Sequence, residues 1–219
     1  MAFDIYQQVF DRDGLPFEKM AEAYIDQLME LFVQSPEGQQ LWSEGIEPGW
    51  ASMMMDFGMN YLSLTPPHMS PDDLREVLFD LVPRKVSTSA DDAEEIVREL
   101  RAFWSFLQRE FHLENAEACL KLLDERAVRE LKKQLGNPAN FGIAKSFVMM
   151  GMERGFDLSS EEGINRWMET YNNELAAGTG LRIPLPGERS ESTRQFQDRI
   201  KPVVANNKRK KNRKRNKRK

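Results

Sequence analysis

The chain has 219 residues, 40% of them hydrophobic, with 31 Lys or Arg against 35 Asp or Glu and a single cysteine. No apolar run reaches the ~18–20 residues that a membrane span requires, and one cysteine excludes an internal disulfide. The net charge of −4 hides two opposed parts. Ten of the last twelve residues, Lys208–Lys219, are basic and none is acidic, which leaves residues 1–207 with 21 basic and 35 acidic side chains, a net of −14.

The N-terminus, MAFDIYQQVFDRDG, carries acids where a secretory leader would be cationic and then apolar. With the lone thiol Cys119, this predicts a cytoplasmic protein, nuclear or nucleolar if the chain is eukaryotic. Asp11-Arg12-Asp13-Gly14 begins like a calcium loop, but Gly14 comes two residues early and Pro16 intrudes. A turn before the first long helix is expected instead.

From Pro16 onward apolar residues recur at three and four. Phe17, Met20, Tyr24, Leu28 and Leu31 form one stripe; Ile96, Leu100, Phe103 and Leu107 form another, with Val97, Trp104 and Phe111 beside it. Helix starts are marked at Ser35-Pro36 and Ser70-Pro71, and by the spacings Ser70 to Asp73, Ser89 to Asp92 and Ser159 to Glu162. Lys132 and Lys133 before Gly136 mark a stop. Helices are expected at about 16–34, 36–44, 48–63, 71–82, 90–111, 115–135, 138–154 and 160–176. The fold class is therefore all-α, a bundle of seven to eight helices forming an acidic domain over residues 1–177. Thr65-Pro66-Pro67-His68 offers a subdomain break near 64–70. Gly, Pro, Ser and Asn dominate from Gly178, so 178–207 reads as a flexible linker and 208–219 as a disordered basic tail.

Catalytic tools are scarce. His68 lies in the proline break, and His112 suits a helix end better than a metal site, since Glu110 and Glu114 two residues away share no helical face with it. Cys119 in AEACLKLL has apolar company and reads as a buried structural thiol. Asp91, Asp92, Glu94 and Glu95 fit the first turn of a helix, where the dipole accounts for them. No catalytic residue, metal or cofactor is expected.

Two features point to partners. Met53, Met54, Met55 and Met59 cluster on one helix, and three consecutive thioethers cannot all face one core. They either fill gaps between helices or line a protein-binding groove. The tail's cations, Lys208, Arg209, Lys210, Lys211, Arg213, Lys214, Arg215, Lys217, Arg218 and Lys219, suit phosphate contacts with RNA, the ribosome or DNA. With no aromatic for stacking, such binding would lack sequence specificity. The sequence thus predicts a non-catalytic helical protein whose arm binds nucleic acid. The alternative is a protein–protein adaptor or regulator whose tail contacts acidic surfaces or its own body.

Overall fold

The computed structural model describes residues 3–137 and 140–179. The linker and tail expected from the sequence lie outside these residues, except for Gly178 and Thr179. The described part is all-α, with no strand; its only β-type contact is an isolated bridge between Phe10 and Pro16. Contacts divide the chain into Met1–Gly136 and Asn137–Lys219. Thr65–His68 forms a short turn inside the first unit, with a 3-10 helix at Pro66–His68.

The first unit opens with α1 (Glu18–Gln34), α2 (Pro36–Ser43) and α3 (Trp50–Phe57), which runs on into a π-helical turn at Gly58–Leu62. A rod follows from α4 (Pro71–Glu76) through a π turn (Val77–Leu81) to α5 (Val82–Lys85). The sequence predicts a stop at 82, before Pro83. Instead the wider π turn precedes the proline, which has no N–H to give and whose ring would crowd the carbonyl four residues back. The helix then continues to Lys85.

Next comes α6 (Ala93–Phe111), the axis of this unit, which packs against α2, α3, α7 (Ala116–Leu122) and α8 (Glu125–Leu135). Its stripe of Ile96, Leu100, Phe103 and Leu107 is buried as expected, together with Trp104 and Phe106. Phe32 of α1 meets Phe103 edge-on at 5.1 Å. Tyr24 is also buried, and its hydroxyl donates to the Ile5 carbonyl at 2.9 Å, tying the N-terminal segment down. His112 ends α6 in the left-handed region, at φ 53°.

The single helix expected at 115–135 is two. Asp124 accepts from the N–H groups of Arg126 and Ala127, so its carboxylate starts α8 afresh after Leu123. The caps at Ser35, Ser70 and Ser89 form where the sequence places them.

The second unit contains α9 (Ile143–Glu153) and α10 (Glu161–Ala176). Among the described residues its core is Trp167 and Met150, with Phe147, Phe156, Leu158 and Tyr171 packed around them. The Trp167 indole N–H donates to the Phe147 carbonyl at 3.0 Å. Two glycines permit the packing. A Cβ on Gly151 would stand 2.8 Å from the Trp167 ring, and one on Gly163 would collide with the Asp157 carbonyl. The cap of α10 is Ser160, accepting from the Gly163 N–H, and not Ser159, whose hydroxyl turns to Asp157.

Candidate functional site

The methionine cluster sits in the core. Met54, Met55 and Met59 are at most 1% exposed, and Met53 is half-buried against the same cluster. Three consecutive methionines find protein neighbours because α3 is enclosed by α1, α6 and the π turn of α4. Of the two roles open to Met53, Met54, Met55 and Met59, their burial fits gap-filling between helices and not an open partner groove, and unbranched thioethers suit that role.

A different groove lies beside them. Glu18 and Glu22 stand one turn apart on α1, and across from them are Asp56 on α3 and Asn60 on its π turn. Together with Pro16, Ala21, Ile25 and the edge of Met59 they enclose about 360 Å³. Its floor is apolar and its rim is acidic. Asn60 donates to the Asp56 carboxylate at 2.8 Å. No Lys or Arg among the described residues pairs with Glu18, Glu22 or Asp56. Neighbouring acids are treated differently: Glu37 and Glu44 are held by Arg109 and Arg98 of α6, at 2.8 and 2.6 Å. A cation with an alkyl stem would find charge at the rim and methylene contacts on the floor.

The remaining reactive groups are structural or dispersed. Glu99, fully buried on α6, accepts from the backbone N–H groups of Gly49 and Ala51, and so caps α3 from outside. Burial pushes its carboxyl above the ordinary value of 4.5, and its Oε2 has no partner. This residue is legible only in retrospect, as the one acid on the buried stripe of α6. Cys119 is buried, and desolvation pushes its thiol up to about 12, which makes it a poor nucleophile. His68 lies beside Thr65 in the 3-10 turn, and His112 ends α6. Among the described residues no three His, Cys, Asp or Glu side chains converge to hold a metal.

In the second unit Lys145 is 1% exposed, with its ammonium 4.2 Å from the Phe141 ring centre. Burial pushes it down to about 8. A cavity of about 410 Å³ beside the start of α10 is lined by Arg154, Arg166, Asp157 and Glu162 among others. Its lining carries both signs of charge. The ten tail cations, Lys208 to Lys219, lie outside the described residues. Comparison of the chain with protein-family models, with curated proteins and with solved structures finds no match.

Proposed function

We propose that the protein is a non-catalytic helical binding protein whose arm, Lys208–Lys219, holds nucleic acid through phosphate contacts without sequence specificity. The observation that carries this reading is the ten-cation run, set against a net charge of −16 over residues 1–181, where 16 basic residues face 32 acidic ones. Such a body repels phosphate. Many of its own cations are also engaged: Arg75, Arg84, Arg98, Arg109, Lys121, Arg129, Lys132 and Arg154 all pair with carboxylates. Phosphate contacts therefore fall to the arm. A cytoplasmic location goes with this reading; no described helix is long and apolar enough to cross a membrane.

The test is binding to single-stranded RNA across a salt series. If about five arm cations meet phosphates, log K falls against log salt with a slope near −3.5, from about −0.7 per contact. Scrambling the RNA changes little. Salt-independent affinity, or equal binding by residues 1–207, overturns the reading. A second reading, a protein–protein adaptor or regulator whose tail contacts acidic protein surfaces or its own body, is favoured in its own-body form by the carboxylates between α1 and α3.

A further inference from the structure

The acid-rimmed groove lies in a strongly acidic part of the chain. Between Met1 and Leu74 stand 13 Asp or Glu and only two Lys or Arg, Arg12 and Lys19, a net of −11. On α1 the carboxylates of Glu18, Glu22, Asp26 and Glu30 follow one another at every fourth residue, all exposed, so like charges run down one face. A surface of this kind stabilises a cation brought to it.

We propose that the groove between α1 and α3 is the docking site of the chain's own basic segment, Lys208–Lys219. The segment offers the complement the groove lacks: ten cations on long alkyl stems, with no acid among them. A lysine or arginine stem laid over Ala21, Ile25 and Met59 brings its head to Glu18, Glu22 and Asp56, and neighbouring cations follow the α1 face. Covalent length permits it. Residues 180–207 can span at most about 95 Å, whereas a unit of 136 residues has a radius of gyration of about 14 Å. The contacts are at the surface, so docking is loose and salt weakens it. Nucleic acid, competing for the same cations, then opens the groove. That release rests on the proposed function; the docking does not.

Zero-length carbodiimide coupling of lysine amines to carboxylates in the full chain at low salt, read by mass spectrometry, tests the docking. Lysines of the 208–219 segment are expected to join Glu18, Glu22 and Asp56 at least about fivefold more often than the exposed controls Glu114, Glu117 and Glu125. The triple variant E18Q/E22Q/D56N is expected to lose most arm-to-body coupling, and E114Q/E117Q/E125Q, with the same change in charge, to keep it. Even coupling across all exposed carboxylates, or coupling mainly between copies seen as a dimer, overturns the docking. Adding a uridine oligonucleotide is expected to suppress the coupling. If coupling persists at saturating oligonucleotide, release and the nucleic-acid reading both fall, while the docking still stands or falls on the coupling pattern alone.

Discussion

Glu99 of α6 caps a helix to which it does not belong, accepting from the Ala51 N–H at 2.8 Å and from Gly49 at 2.9 Å. The N-cap of α3 is Gly49, which has no side chain to do this locally. The carboxylate therefore comes from 48 residues further along the chain.

Its buried carboxyl holds a proton more tightly in the folded chain than in the unfolded one. As pH rises past 4.5, the unfolded state releases its proton first, so stability falls until the folded carboxyl has also ionised. Glu99→Gln keeps an acceptor for both N–H groups and abolishes this titration. Its melting temperature should fall less between pH 4 and pH 8 than that of the parent. Glu99→Ala removes the acceptor and should cost about 2 kcal/mol or more in urea denaturation, since two donors lose their partner.

Phe103 and Trp104 are each 0% exposed. Truncating either to alanine should cost ~3–5 kcal/mol in denaturant unfolding, because both the transfer energy and a cavity count against the variant. Retention of native stability with loss of a binding partner would move them from core to interface.

In the second unit Gly163→Ala should be severe. The added methyl meets a backbone carbonyl, which cannot swing aside as a side-chain tip can. Overpacking of this kind costs about 3 kcal/mol. Amide exchange should accelerate across α9 and α10 and stay unchanged in α1 to α8. Gly151→Ala, which presses on the Trp167 ring, should act in the same direction.

Lys145 should lose its proton near pH 8, against an ordinary value of 10.5. Between those values the unfolded chain binds the extra proton, so this residue makes stability rise with pH up to about 10.5. The Cε resonance of Lys145, assigned by its loss in Lys145→Met, provides the check: its midpoint should lie well below the ordinary lysine value.

Helix positions were readable in the sequence because caps are local. Ser35, Ser70 and Ser89 sit within three residues of the N–H groups they satisfy. The same locality hid the break at Asp124, since Leu122-Leu123-Asp124-Glu125 also fits an uninterrupted stripe. The choice between Ser159 and Ser160 turned on Asp157, which takes the first hydroxyl and leaves the second for Gly163. The groove was half legible. Glu18 and Glu22 announce a charged face by their spacing, but Asp56 joins them only through the packing of α3 on α1, which no local pattern encodes. The methionines show another case: their run left gap-filling and a groove both open, and the enclosure of α3 on several sides made them interior.

The two cores are very unequal. Among the described residues, one joins 34 buried residues, from Ile5 to Leu135, and the other has Met150 and Trp167. A ribosome delivers the chain N-terminus first, and domains generally fold as they emerge. By the time Gly136 has been added, every residue of the larger core has been synthesised, while Trp167 has yet to be decoded. Nascent α9 and α10 would then assemble after the larger unit has settled. The basic segment is decoded later still, after Asn207. Its cations would emerge to meet a finished acidic surface instead of a loose chain of carboxylates.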